Sequence, residues 1–139
     1  MATRKARRQG RVGSGTKGSP GSRMRMRRLR RDPNALAVVA AVAKSRDLPA
    51  FDILQRPRGE AEVAAARQLV MYLVHVLLGR RQEEVGLLFG RERTTVSYAC
   101  RMMEERRDCP EVEAEIISIE RRLSLTASLA NSMGAGHAA

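Results

Sequence analysis

Five consecutive residues, Arg91-Glu92-Arg93-Thr94-Thr95, follow Gly90 and open a stretch of helical periodicity. Their chemistry suits the edges of base pairs. An arginine pairs bidentately with guanine O6 and N7. A glutamate accepts from cytosine N4, and a threonine brings a hydroxyl together with a methyl that can meet the thymine methyl. Backbone N–H groups at a helix start also attract phosphate. The segment before them, Gln82 to Leu88, reads as a short helix with Val85, Leu88 and Phe89 apolar, and Gly90 is the turn. Two short helices joined by a tight glycine turn describe a helix-turn-helix, whose second helix enters the major groove with its N-terminal residues toward the bases. Gly86, four residues before Gly90, is small enough to let the two helices cross closely, and Val96, six after it, faces the first helix. The second helix spans Glu92 to Arg107. At 100° per residue its apolar face is Val96, Ala99, Cys100 and Met103, and the opposite face carries Thr94, Tyr98, Arg101 and Glu105. The plainer alternative stays open at this point: Thr-Thr is a common helix cap, and glycine-linked helix pairs recur throughout all-α domains.

Other residue types that do chemistry are poorly placed for it. Gly13-Ser14-Gly15-Thr16-Lys17-Gly18-Ser19 looks like a phosphate loop, but Thr precedes Lys17, Gly follows it, and no strand or helix flanks it. No ATP site is expected. Cys100 falls on an apolar helix face and Cys109 at a helix break, with no metal-ligand spacing to His75 or His137. No metal, disulfide or cofactor is expected. Glu111, Glu113 and Glu115 complement the positive end of a last helix. With no paired carboxylates in an apolar setting and no nucleophile–base pair, an enzyme is the least expected class.

The elements around this unit also read as helices. Asp32 caps a helix whose first turn takes Pro33, with Leu36, Val39, Ala40 and Ala43 on one face and an end near Arg46. Leu48 to Leu54 reads as a short helix with Leu48, Phe51 and Leu54 inward. Gln55-Arg56-Pro57-Arg58-Gly59 breaks the chain. A long helix, Glu60 to Leu78, follows, with Val63, Ala66, Val70, Leu73 and Leu77 as its buried stripe and Gly79 as its stop. A last helix starts after Asp108-Cys109-Pro110, with Val112, Ile116, Ile119 and Leu123 inward. The expected fold class is therefore all-α, five to six helices including a helix-turn-helix, preceded by a disordered basic tail. No apolar run approaches the ~18–20 residues that cross a bilayer, the longest (Leu69 to Leu78) containing His75, and no membrane partner is expected.

The chain of 139 residues has a formal net charge of +11, and 43 % of it is hydrophobic. The charge is unevenly spread. Residues 1–31 hold twelve basic and no acidic residues, and residues 32–139 hold fourteen basic and fifteen acidic. The expected division is thus a disordered basic tail over 1–31, a helical domain over 32–125 and a flexible tail over 126–139. A tail rich in Gly, Ser and Arg, without apolar periodicity, cannot offset its ordering entropy. It can add sequence-independent phosphate contacts. It reads equally as a solvated tail without a role, or as residues upstream of a later start at Met24 or Met26. An organellar transit peptide fits its composition but not its lack of an apolar helical face.

From about Leu36 to Leu123 the chain resembles the C-terminal DNA-binding domain of the bacterial chromosomal replication initiator DnaA. The residues that carry the resemblance are Ala66-Arg67-Gln68, then Glu84-Val85-Gly86, then the run from Phe89 to Arg101, set against a family pattern of Gly-Arg-Asp-His-Thr-Thr-Val followed after two residues by Ala-Cys-Arg. It implies an all-helical fold that binds short asymmetric boxes in double-stranded DNA as a monomer. It further implies that Glu92, Arg93, Thr94 and Thr95 read bases, with Arg91, Ser97, Tyr98 and Arg101 beside them. Arg67 and Gln68 match residues that hold the DNA backbone, and Arg56 and Arg58 occupy a basic loop that reaches the minor groove in the family. Arg93 and Glu92 stand where the family has His and Asp, Tyr98 stands at a second His position, and one glycine before the motif is missing, so the preferred box is expected to differ. The initiator's ATPase domain has no counterpart in these residues, and the resemblance covers a stand-alone DNA-reading module.

The expected function is sequence-specific binding of double-stranded DNA that regulates replication initiation or transcription, in the cytoplasm at the nucleoid, with replication or transcription proteins as further partners. Two rivals remain: a protein-interaction module on the same scaffold, with Arg93 and Tyr98 in the contact, and non-specific nucleoid binding through the tail. They separate by truncation. A chain that starts at Met24 is expected to keep its sequence preference and lose affinity, as read by titrating fluorescent duplexes. Loss of all DNA binding on removing residues 1–23 would refute the specific reading.

Overall fold

The computed structural model describes residues 20–54 and 60–138, and the side chains of 23–54 and 60–129. Among them are seven helices and no strand: α1 (Pro20–Arg30), α2 (Pro33–Arg46), α3 (Ala50–Leu54), α4 (Ala61–Leu78), α5 (Gln82–Phe89), α6 (Arg93–Arg106) and α7 (Pro110–Ala138). The all-α expectation holds, with one helix more than the count from periodicity. Residues 1–19, with the Gly13–Ser19 stretch, and residues 55–59, with Arg56 and Arg58, lie outside the described residues.

The additional helix is α1, in a segment expected to be disordered. Only two apolar side chains bring it to the core: Leu29 is fully buried and Met26 packs beside it. Two residues three apart are too few to register as a periodic stripe, yet Arg, Met and Leu are good helix formers, and docking makes up the rest. At the other end, α7 continues helically to Ala138 through the segment expected as a flexible tail.

Asp32 caps α2 as expected and also has a second role. Its Oδ1 accepts from the Ala35 N–H at 3.2 Å, which caps α2. The same carboxylate takes both arms of the Arg80 guanidinium, Nε to Oδ2 and Nη2 to Oδ1, at 2.9 Å each. Arg80 follows the left-handed Gly79 (φ 71°) that stops α4, so one carboxylate ties the start of α2 to the end of α4. Arg46 and Glu115 make a comparable two-armed pair between α2 and α7, at 2.7 and 2.9 Å.

The helix at the centre is α4, against which α2, α3, α5 and α6 all pack. Its buried residues run continuously from Leu69 to Val74, beyond the single stripe expected. By length and composition it is long and apolar enough to cross a membrane, which the count of apolar runs missed. In this fold half of it is buried inside the protein. Tyr72 at its middle is fully buried. The hydroxyl donates to Glu104 Oε2 at 2.6 Å and accepts from Arg107 Nη1 at 3.0 Å, a polar link from α4 to the end of α6. Two inward assignments fail, and the first is Ala40, grouped with Leu36, Val39 and Ala43 on one face of α2 but exposed. Phe51 is 67 % exposed, and Ile53 is the buried residue of α3. A five-residue helix shows too little of a period to fix its inner face.

The α5–α6 unit is built on two glycines. Gly90 takes φ 67°, and its N–H and that of Arg91 both bond the Gly86 carbonyl, closing α5 with a left-handed cap. At Gly86 a Cβ atom would stand 2.5 Å from the Arg91 carbonyl oxygen, so the turn itself lies against the bare face of α5. At the N-terminus of α5, the Glu84 side chain accepts the Arg81 N–H at 2.9 Å. Val96, Ala99, Cys100 and Met103 are buried as expected, so the face bearing Thr94, Tyr98 and Arg101 is turned outward.

Two measurements test this architecture. Helix propensity alone favours Gly86→Ala by about 0.5–1 kcal/mol, but the contact with backbone at Arg91 is expected to reverse the sign and cost about 1–3 kcal/mol. A thermal melt in which Gly86→Ala matches or exceeds the parent would refute the close approach. The second test concerns pH. The Arg80 hydrogen bonds hold the Asp32 carboxyl below its ordinary range. Stability from such a depressed carboxylate is present above the unfolded value of about 3.9 and is lost as pH falls through the folded value. Asp32→Asn is expected to be less stable by about 1 kcal/mol at pH 7, with the gap closing below about pH 4. Urea titrations at pH 7 and pH 3 showing a pH-independent gap would contradict the pairing.

Candidate nucleic-acid interface

The start of α6 presents a run of polar side chains to solvent. Glu92, at the N-cap position, accepts the N–H groups of Thr95 and Val96 on its carbonyl, at 3.0 and 3.2 Å. No side chain caps this helix, and its first turn holds no acidic residue. Glu92, at the N-cap position, carries the carboxylate beside its positive end. Arg93, Thr94, Thr95, Ser97, Tyr98 and Arg101 are all exposed, as is Glu92. Thr94, Ser97, Tyr98 and Arg101 follow at three- and four-residue steps on one face. The Arg101 guanidinium carbon lies 5.9 Å from the centre of the Tyr98 ring, near enough for the ring to orient the cation. Arg91 is half-buried in the turn.

The remaining sequence candidates are elsewhere. Arg67 is 7 % exposed and donates from Nε to the Ile53 carbonyl at 2.8 Å and from Nη2 to that of Asp52 at 3.3 Å. It thus ties the end of α3 to α4, which places it among buried groups and apart from the exposed face. Burial, with the nearby charges of Arg91 and Arg25, lowers its pKa to about 10. Gln68 accepts from Arg106 Nη1 at 3.4 Å. Arg106 ends α6, about 20 Å along the axis from Arg93, so Gln68 stands beside the opposite end of that helix. The structure therefore gathers Glu92, Arg93, Thr94, Thr95, Ser97, Tyr98 and Arg101 on one surface and leaves Arg67 and Gln68 outside it.

Cys100 is buried, and that burial pushes its thiol pKa up, away from the thiolate that a nucleophile or ligand needs. Cys109 Sγ donates to Glu111 at 2.8 Å. His75 is half-buried, with Nδ1–H donating to the Arg80 carbonyl at 2.8 Å. Among the described residues no three His, Cys, Asp or Glu side chains converge on a point that could hold a metal ion.

The sequence reading missed α1. Arg28 Nη1 donates to the Leu87 carbonyl at 3.1 Å, near the end of α5. The Arg25 side chain lies over Gly90, where a Cβ would stand 2.5 Å from its Cδ. Two arginines from the basic segment thus contact the end of α5 and the turn. The only signal in the sequence was the pair Met26 and Leu29 within a run of arginines.

Comparison with known proteins agrees with this geometry. Residues 36–103 match the family model for the bacterial dnaA protein helix-turn-helix. The chain is 38 % identical over 74 residues to the chromosomal replication initiator protein DnaA of Lactococcus lactis subsp. cremoris, covering 52 % of this chain and 16 % of that protein. It is 35 % identical over 91 residues to the DnaA of Xanthobacter autotrophicus, covering 65 % and 18 %. It is 36 % identical over 78 residues to that of Mycobacteroides abscessus, covering 53 % and 16 %. The chain thus spans about a sixth of the length of the curated relatives it matches. Over residues 36–103, the chain is similar to the bacterial DnaA helix-turn-helix family.

Proposed function

We propose that the chain binds double-stranded DNA sequence-specifically, with α6 in the major groove and Glu92, Arg93, Thr94 and Thr95 against base edges. What supports this most is the start of α6: it is uncapped, free of acid in its first turn, and held outward by the burial of Val96, Ala99, Cys100 and Met103. An arginine, a glutamate and two threonines together offer donors, acceptors and methyls, enough to discriminate all four base pairs. Ser97, Tyr98 and Arg101, one and two turns on, are in reach of the phosphates and sugars that border the groove and set the register. Arg67 acts by positioning, since it fixes the end of α3 against α4, and Arg56 and Arg58 are the candidate minor-groove contacts.

The relatives are chromosomal replication initiator proteins, which supports a role at initiator-type boxes, in regulating replication initiation or transcription at the nucleoid. One compact reading surface suits binding as a monomer without a cofactor. Arg93 is the residue by which the preferred box departs from the family's, since arginine favours guanine over a thymine methyl.

Selection from random duplexes is expected to return a short asymmetric motif. Arg93→Ala is then expected to cost ~1–3 kcal/mol on that motif and to relax preference at one base pair. Equal weakening on motif and random duplexes would make Arg93 a phosphate contact. A selection that returns no motif would refute sequence-specific reading and favour tail-driven or protein binding.

A further inference from the structure

The helix α1 carries Arg23, Arg25, Arg27, Arg28 and Arg30, with Arg31 next in sequence, and residues 20–31 hold no acidic side chain. At 100° per residue these fall into two sets. Arg25, Met26, Arg28 and Leu29 form the docked side. Leu29 is buried, Met26 packs on the core, Arg28 bonds the Leu87 carbonyl, and Arg25 lies over Gly90. Arg23, Arg27, Arg30 and Arg31 lie within an arc of about 100° on the other side, and all four are exposed.

The docking site gives this division its meaning. The Leu87 carbonyl belongs to the last turn of α5, where helix geometry leaves carbonyls without an internal partner, and Arg28 supplies a donor. Gly90 is three residues before Arg93. A cationic helix is thereby fixed beside the turn that launches the reading helix, in a place where Arg25 and Arg91 already bear on Arg67. Gathering like charge costs self-repulsion, which a polyanion relieves. Duplex DNA held by α6 brings such a polyanion, since its phosphate strands continue past the bases being read.

We propose that α1 is a second DNA-binding element, docked on α5 and the α5–α6 turn so that Arg27, Arg30 and Arg31 meet backbone phosphates flanking the site that α6 reads. This rests on the sequence-specific reading above. It adds a fixed place to charge that would otherwise act diffusely. The contact carries no base information and extends the footprint on one side only.

The test uses the full chain with three duplexes: the selected motif with long flanks, and the same motif trimmed on one flank or the other. The parent is expected to lose affinity on trimming one flank and to be indifferent to the other. Arg27→Ala combined with Arg30→Ala, both exposed, is expected to keep the parent's thermal melt and base preference. It should lower the slope of log K against log salt by about 2 and bind the long duplex on the order of tenfold more weakly at 0.15 M salt. It should also no longer distinguish the trimmed duplexes. Arg7→Ala combined with Arg8→Ala removes equal charge from the tail and is expected to leave the flank dependence intact. Parent binding that ignores both flanks would overturn the proposal, as would equal effects of the two double variants. A random-duplex selection run in parallel keeps the two readings apart. A motif without flank dependence overturns the role of α1 alone, and the absence of any motif overturns both.

Discussion

The molecule depends on one short-range constraint: the bare Cα of Gly86 against the Arg91 carbonyl. Because nothing larger than hydrogen fits there, α5 and the turn touch backbone to backbone, and the exit direction of α6 follows. Gly90 completes the turn in a conformation that costs other residues energy. The space above Gly90 then admits Arg25, and the carbonyl of Leu87 is left to Arg28. Two residues without side chains thus set where α6 leaves the turn and leave room for α1 beside it.

Much of the site was legible in the sequence because it obeys helical period. The apolar positions Val96, Ala99, Cys100 and Met103 fix which side of α6 faces solvent, and the glycines at 86 and 90 mark the turn. The Asp32-Pro33 start and the Gly79 stop were equally plain, since each rests on local backbone chemistry. What escaped had other causes. Phe51 sits in a helix too short to have a period. Arg67 belongs to a conspicuous motif, but motif residues do not reveal whether a guanidinium faces DNA or a neighbouring carbonyl. The helix α1 is invisible to composition because its docking rests on Leu29, Met26 and two side-chain contacts to distant backbone.

The charge of the chain also takes on a different meaning once partners are known. The body from residue 32 is close to neutral by count, yet its arginines are divided in use. Arg46, Arg80 and Arg107 are each held by a carboxylate through two hydrogen bonds, and Arg67 is held by main-chain carbonyls. These arginines act as staples between helices. Arg93 and Arg101 stand exposed on one face of α6. Near-neutrality therefore sums arginines paired between helices, exposed arginines on α6 and exposed acids elsewhere, such as Glu60, Glu62 and Glu83.

The Tyr72 hydroxyl has a consequence for how α6 meets a ligand. Its bond to Glu104 anchors the last turn of α6 to the central helix, while the Gly86–Arg91 contact fixes the turn from which α6 departs. A rod gripped at both ends can neither roll about its axis nor slide along it. Adaptation to one base sequence or another is left to side-chain rotamers, so the entropy lost on engagement is that of a few torsions and not of a backbone. On the function proposed above, such a helix discriminates as a fixed template: mismatched sequences shorten the lifetime of the complex and do not reshape the protein.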